Sequence, residues 1–160
     1  MIIVSACLAG INCKYDGGNN LVPEIRDLVA EGRAVPVCPE QLGGCPTPRV
    51  PVELVGVSGE DVLDGKGRAV DESGCDKSES FVKGAEETLK LARVVRADMA
   101  VLKERSPSCG SKFISGGSFT RRPRRGCGIT AALLMRNGIK VISEEDIDLI
   151  RIRRNETKRD

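Results

Sequence analysis

Residues 99–110 read MAVLKERSPSCG, an apolar run followed at once by a polar turn that contains a proline, a cysteine and a glycine. Two earlier stretches place a cysteine in the same way, IIVSAC at residues 2–7 and AVPVC at residues 34–38. Each apolar run is short and uncharged and is bounded by turn-forming residues, which is typical of a buried strand. Three predicted core strands are therefore each followed by a cysteine, namely Cys7, Cys38 and Cys109.

Helical patterns separate these strands. A short helix is expected to begin near Pro23 and to stop at Gly32. A longer helix is expected from Ser78, as its N-cap, to about Arg96, because apolar residues recur there at helical spacing. Strands that alternate with helices predict an α/β fold of three layers, with a mostly parallel, Rossmann-like sheet and helices on both faces.

The remaining segments complete this plan. The segment Ile129–Met135 is predicted to be a buried helix, and Ile139–Ile142 a fourth strand. The proline-rich segment 43–51 and the glycine- and arginine-rich segment 115–128 are expected to be irregular loops, and Val52–Leu63 has room for a hairpin. With 160 residues, the chain fits a single domain over residues 1–160, with a frayed polar tail from about residue 155.

Composition excludes several classes of function. The chain has no histidine, which excludes Ser-His-Asp and Cys-His catalysis and any metal site with a histidine ligand. Any bound metal must therefore rest on thiolates and carboxylates. No apolar stretch approaches the roughly 20 residues of a membrane span, and no basic region precedes the apolar start, so we expect a cytoplasmic protein without a membrane partner.

The cysteines are the unusual feature, because there are seven of them. In a reducing compartment disulfides are disfavoured, so cysteines there are more often ligands, catalytic groups or small buried hydrophobes. The carboxyl ends of parallel strands meet at one edge of a sheet, where ligands bind. We therefore expect Cys7, Cys38 and Cys109 to converge, although no C-x-x-C pair gives a zinc-ribbon or ferredoxin signature.

Five motifs follow one another along the chain. They are Val4-Ser5-Ala6-Cys7-Leu8, Cys13-Lys14-Tyr15-Asp16-Gly17, Val37-Cys38-Pro39-Glu40, Pro46-Thr47-Pro48-Arg49 and Leu102-Lys103-Glu104-Arg105-Ser106-Pro107-Ser108-Cys109-Gly110. In this order they resemble the DUF523 family, which includes 2-thiouracil desulfurase and relatives acting on 4-thiouridine. The resemblance covers the chain from residue 2 to about residue 145.

The resemblance implies a [4Fe-4S] cluster that is held by three protein cysteines, with one iron not ligated by protein. We assign the ligand positions to Cys7, Cys38 and Cys109. Cys13 lies in a family motif and is the rival for one ligand position, or else an accessory thiol near the substrate. Three further cysteines lie outside these assignments and are interpreted as packing or surface thiols: Cys45, Cys75 and Cys127.

The resemblance also implies the reaction, a non-redox desulfuration of a thiolated pyrimidine that releases sulfide. Without histidine, the general base must be a carboxylate. We predict Glu40, whose alternative role is a helix N-terminal carboxylate or an ion-pair partner. Ser106 is predicted to position the water or the ring, and its alternative role is a turn residue before Pro107. Lower-ranked candidates for the base are Asp16 and Glu104.

The partner is expected to be a small thiolated nucleobase or nucleoside, and the sequence leaves open which one. Clustered arginines could instead contact a nucleotide phosphate or an RNA backbone, but few aromatic residues are present for stacking bases, so tRNA is not favoured. These arginines are Arg121, Arg122, Arg124 and Arg125, with a second group at Arg151, Arg153 and Arg154. The remaining alternative is a non-catalytic thiolate module, either a structural zinc domain or a cluster-based sensor.

Overall fold

The computed structural model describes residues 1–115, 117, 119–120, 122–146 and 148–149. The predictions for the tail from about residue 155, for Arg121 and for the second arginine group concern residues outside these ranges. No described helix is long and apolar enough to cross a membrane.

A four-stranded parallel sheet lies at the centre, in the order β2-β1-β5-β8. The strands are β1 (Ile2–Ser5), β2 (Ala34–Val37), β3 (Val52–Val55), β4 (Arg68–Asp71), β5 (Met99–Leu102), β6 (Phe113–Ser115), β7 (Pro123–Arg125) and β8 (Lys140–Ser143). The helices are α1 (Pro23–Ala30), α2 (Pro39–Leu42), α3 (Gly59–Leu63), α4 (Ser78–Val94) and α5 (Ile129–Arg136), with 3-10 turns at Ala6–Ala9 and Glu144–Asp146.

Apolar side chains cover both faces of this sheet, because successive residues of a strand point to opposite sides. On one face Ile2 and Val4 pack with Ile25 and Leu28 of α1. On the other face the side chain of Ile3 joins a cluster formed with α4 and α5. The predicted three-layer α/β fold is confirmed.

A second structural unit packs against the sheet layers. The antiparallel hairpin of β3 and β4 shares a core with α3, α4 and α5, which includes Leu54, Phe81 and Ile129. The hairpin expected within Val52–Leu63 is not formed there, because this segment holds β3 and α3, and β3 pairs instead with β4 at Arg68–Asp71. The segment 115–128 was expected to be irregular, but β7 pairs with β6 there.

Helix boundaries follow the sequence with small differences. Pro23 is the first residue of α1, and Gly32 follows its end with a φ of 68°, a backbone conformation that a glycine adopts without steric cost. In α4, Ser78 is the first helical residue rather than the cap, and its hydroxyl oxygen accepts the N–H of Ala69 at 2.8 Å. The long helix is therefore tied to β4 at its start.

Helices α2 and α4 approach each other through two glycines. A Cβ atom at Gly84 would lie 1.9 Å from the carbonyl oxygen of Pro39, and one at Gly43 would lie 2.0 Å from the carbonyl oxygen of Ser80. Real Cβ atoms do not come this close to backbone oxygens, so both positions require glycine. This contact fixes α2, the short helix that begins directly after Cys38.

We predict that Gly84→Ala destabilises the protein by about 1–3 kcal/mol through overpacking. Helix propensity alone would make the same change stabilising by about 1 kcal/mol. The sign of the change in the free energy of unfolding therefore distinguishes overpacking from helix propensity. Urea unfolding would measure the change, with Lys83→Ala at an exposed position of the same helix as the control. A Gly84→Ala protein at least as stable as the parent would contradict the close approach.

Candidate metal centre

A cavity of about 400 Å³ opens at the carboxyl ends of β1, β2 and β5. Parallel pairing places these ends side by side, since Ser5 is in register with Val37 and Val4 with Val101. All the residues predicted for the site line this one cavity: Cys7, Cys13, Cys38, Cys109, Glu40 and Ser106. The topology therefore brings together thiols that are far apart in sequence, as expected for the edge of an open α/β sheet.

Cys13 lies between two of the other thiols. Its thiol is hydrogen-bonded to the sulfurs of both Cys7 and Cys38, and its carbonyl oxygen lies 3.9 Å from the Cys38 sulfur. Cys109 is hydrogen-bonded to Ser5 at the end of β1 and lies near enough to Cys7 and Cys38 for their charges to act on it. The structure thus brings all four thiols to one cavity.

The surroundings of the thiols change their pKa values in opposite directions. The hydrogen bond from Cys13 is the main cause that lowers the pKa of Cys38 to about 7, and the N–H of Gln41 also contributes. The pKa of Cys7 is lowered by the same Cys13 thiol and by Asn20, whereas its interactions with the sulfurs of Cys38 and Cys7 raise the pKa of Cys13. Burial raises the pKa of Cys109. Thiolates are the form that binds metals.

The donor set fits an iron–sulfur cluster. Four free thiols line one partly buried cavity, and the chain offers no imidazole. Within the described ranges no three such side chains converge on one point as ligands of a single metal ion do. A [4Fe-4S] cluster instead spreads its cysteine ligands over separate irons.

Glu40 lies in the first turn of α2 and forms an ion pair with Arg49. The Nε of Arg49 donates to Glu40 Oε2 at 2.7 Å, and its Nη2 donates to the carbonyl oxygen of Cys13 at 2.9 Å. Arg49 therefore connects the predicted base with the cysteine loop. Glu40 has the expected alternative role of an ion-pair partner, and the other oxygen of its carboxylate still lines the cavity.

The serine in contact with Glu40 is Ser108, which the sequence analysis did not single out. Its hydroxyl donates to Glu40 Oε1 at 3.1 Å. The hydroxyl oxygen of Ser106 instead accepts the N–H groups of Ser108 and Cys109, at 3.2 and 3.1 Å. Ser106 thus has the turn role that was its alternative, while it also lines the cavity. Only the position of Ser108 in the same SPSC turn could have drawn attention to it.

The two lower-ranked carboxylates have other partners. Both oxygens of the buried Glu104 carboxylate are engaged by four donors: the N–H groups of Ser111, Lys112 and Phe113 and the Ser111 hydroxyl. Burial by itself raises the pKa of Glu104, but these hydrogen bonds outweigh it and hold the pKa below its ordinary value. Asp16 is exposed and accepts the N–H of Gly18. Glu104 is therefore suited to hold the loop rather than to accept a proton.

The other three cysteines and the described members of the arginine cluster do not line this cavity. Cys75 is exposed, and Cys45 and Cys127 pack against separate parts of the core. Arg124 donates to the carbonyl oxygens of Leu54 and Val57, so it supports the β3 hairpin. Arg122 and Arg125 are exposed.

Comparison with known proteins decides the family. A model of the 2-thiouracil desulfurase family matches residues 2–146. The chain belongs to this family. This match confirms the resemblance that was drawn from the five motifs, and it covers almost the same residues.

Two relatives of this 2-thiouracil desulfurase family member extend the comparison. The chain is 49% identical over 148 residues to the uncharacterized protein YbbK of Bacillus subtilis (strain 168), covering 92% of this chain and 98% of YbbK. It is also similar to a solved structure of the [4Fe-4S]-dependent thiouracil desulfidase TudS, with a TM-score of 0.84 and 42% identity over 96% of this chain and 97% of that chain. The fold is therefore shared with this thiouracil desulfidase over most of both chains.

We predict that Glu104→Gln destabilises the protein by about 1.5–3 kcal/mol at neutral pH, because an amide cannot accept all four hydrogen bonds. The folded-state pKa of Glu104 is lowered, so its stabilisation is complete above the unfolded pKa of about 4.3 and is lost as pH falls through the folded pKa. The difference between parent and variant should therefore be largest near neutral pH and shrink in acid.

Urea unfolding between pH 3 and pH 7 would measure this difference. Glu145→Gln is the control, since the ion pair that the Glu145 side chain forms within the described part of the chain is an exposed one with Arg105, and the change should alter stability by about 0–1 kcal/mol. A Glu104→Gln effect that is small, or that grows in acid, would show that the four hydrogen bonds do not stabilise the loop.

Proposed function

We propose that this protein removes sulfur from a thiolated pyrimidine, such as 2-thiouracil or its nucleoside, in a non-redox reaction at a [4Fe-4S] cluster. The carbon–sulfur bond is replaced by a carbon–oxygen bond from water, and sulfide leaves, so no electron is consumed. Family membership confirms the predicted thiouracil desulfurase class of enzyme. The observation that carries the proposal is the convergence of four thiols and Glu40 on one cavity.

The cluster would be held by three of the four cavity cysteines. The sequence analysis assigned Cys7, Cys38 and Cys109. All four thiols line the cavity, and burial does not separate Cys109 from Cys13, which are 5% and 2% exposed. We therefore propose Cys7, Cys38 and Cys109 as ligands, with Cys13 as the rival for one position because its thiol contacts both Cys7 and Cys38.

A [4Fe-4S] cluster with one iron free of protein ligands supplies a Lewis acid for the soft thiocarbonyl sulfur. The protein supplies the proton acceptor. Glu40 Oε2 is held by Arg49, and Oε1 faces the cavity beside the Ser108 hydroxyl. In this proposal Oε1 takes a proton from the attacking water, and Ser108 helps to position that water.

The alternatives receive less support. A non-catalytic zinc or sensor module would share the cysteines but would not need Glu40 and Ser108 to lie together in the cavity. A tRNA substrate would need an extended basic surface around the cavity, whereas Arg49 and Lys103, which line it, are paired with Glu40 and Glu144. The seven free cysteines support the expected cytoplasmic location.

We predict that Cys7→Ala, Cys38→Ala and Cys109→Ala each abolish cluster binding, since each removes one thiolate ligand. Iron and acid-labile sulfide on anaerobically reconstituted protein would measure the loss. Cys13→Ala should keep the cluster, and so should the control Cys75→Ala at an exposed position. Loss of iron from Cys13→Ala, together with normal iron in Cys109→Ala, would show that Cys13 is the third ligand instead. Parent protein that binds no iron would refute the proposal as a whole.

We predict that Glu40→Gln lowers kcat for sulfide release from 2-thiouracil by about 10²–10⁴-fold, the usual contribution of a general base. Its iron content should stay unchanged, because Glu40 is not proposed as a ligand. Asp16→Asn is the matched control, since it neutralises the exposed rival carboxylate in the same region and should keep full activity. If Glu40→Gln turns over normally, the base is another group.

A further inference from the structure

A second carboxylate, Glu53, lines the same cavity and has no part in the proposed proton transfer. It is only 5% exposed. On β3, Leu54 faces the core shared with α3 and α4, and the alternation of a strand directs Glu53 to the opposite side. The β3 hairpin thus presents one buried carboxylate to the cavity, while the cysteines come from the parallel sheet and the loops at its edge.

Half of this carboxylate is engaged by the protein. The N–H of Phe119 donates to Glu53 Oε2 at 2.8 Å. Among the described residues no lysine or arginine forms an ion pair with Glu53, and no other hydrogen bond reaches it. Oε1 is also absent from the buried polar atoms that lack a partner, so this oxygen is accessible from the cavity.

Phe119 is held beside it in an unusual conformation. Its φ of 57° lies in the left-handed region, which costs a non-glycine residue roughly 1–2 kcal/mol. The hydrogen bond to Glu53 helps to offset that cost, and Phe119 also lines the cavity. A carboxylate oxygen and an aromatic side chain are therefore presented together.

A buried carboxylate without a cation needs hydrogen-bond donors. Thiouracil and uracil carry ring N–H groups, and a charge-assisted N–H···O⁻ bond is stronger than a neutral one. The flat face of the ring also suits an aromatic neighbour. We propose that Glu53 is the specificity-determining residue that recognises the pyrimidine. Its Oε1 accepts a hydrogen bond from a ring N–H, and Phe119 flanks the ring. This inference rests on the proposed function and names the substrate edge that is recognised.

Glu53→Gln separates recognition from support of Phe119. The glutamine Oε1 can still accept the Phe119 N–H, which leaves its NH₂ group directed at the cavity. A donor would then face the ring N–H, which is also a donor. A purely structural role would survive this change, whereas ring recognition would not.

The test measures uracil binding by calorimetry and the kinetics of sulfide release from 2-thiouracil, both with reconstituted protein. Glu53→Gln should weaken uracil binding and lower kcat/KM by about 10–100-fold. Iron content and the urea midpoint should stay at parental values. Glu72→Gln is the matched control, since Glu72 is an exposed carboxylate that lines the same cavity, and it should change either quantity by less than about twofold.

Methylated ligands then test the contact itself. Glu53 Oε1 accepts one ring N–H, so methylation of uracil at one of the two nitrogens, N1 or N3, should weaken binding to the parent protein by about the same factor as Glu53→Gln does. The same methylation should have little further effect on binding to Glu53→Gln. Unchanged uracil binding in Glu53→Gln, or equal methylation penalties in both proteins, would overturn the inference. Failure of the proposed function would look different: no sulfide would be released from 2-thiouracil by the parent protein, even if uracil binding still depended on Glu53.

Discussion

The pairing of β1 with β2 on one side and β5 on the other is the constraint on which the site depends. All four residues of β1 are buried, and its hydrogen bonds fix the level at which the three strands end. A slip of one residue would turn every side chain to the opposite face, so the register is strongly determined. As a result Ser5 lies beside Val37, and the segments that carry Cys7, Cys38 and Cys109 leave the sheet at the same edge.

The cavity is completed by a wall that does not belong to this sheet. The β3 hairpin rests on its own apolar core with α3, α4 and α5, and it supplies Glu53 opposite the sheet edge. Clefts between separately supported units are common places for ligand sites. In this protein one wall provides soft sulfur donors and the other provides a polar contact for a ring.

Three carboxyl groups of the site, two buried and one half-buried, differ in how many of their oxygens are already engaged. Glu104 is saturated by four donors and serves the loop. Glu40 is held on one oxygen by Arg49 and meets a serine hydroxyl on the other. Glu53 accepts one backbone N–H. The acceptor capacity that remains, rather than burial itself, distinguishes a structural carboxylate from one that can act on a substrate.

Local patterns in the sequence determined the four strands of the parallel sheet, the main helices, the α/β class and the edge at which the cysteines meet, because periodicity and strand ends are properties of short segments. The family was also readable from the sequence, since its motifs are contiguous. Only the tertiary structure decided that Cys13 lies between Cys7 and Cys38, that Ser108 rather than Ser106 contacts Glu40, and that Arg49 holds this carboxylate. Ser108 and Glu40 are 68 positions apart, and Glu53 and Phe119 are 66 apart. Contacts of this kind depend on the paths that loops take between packed elements, and no periodic pattern in the chain encodes those paths.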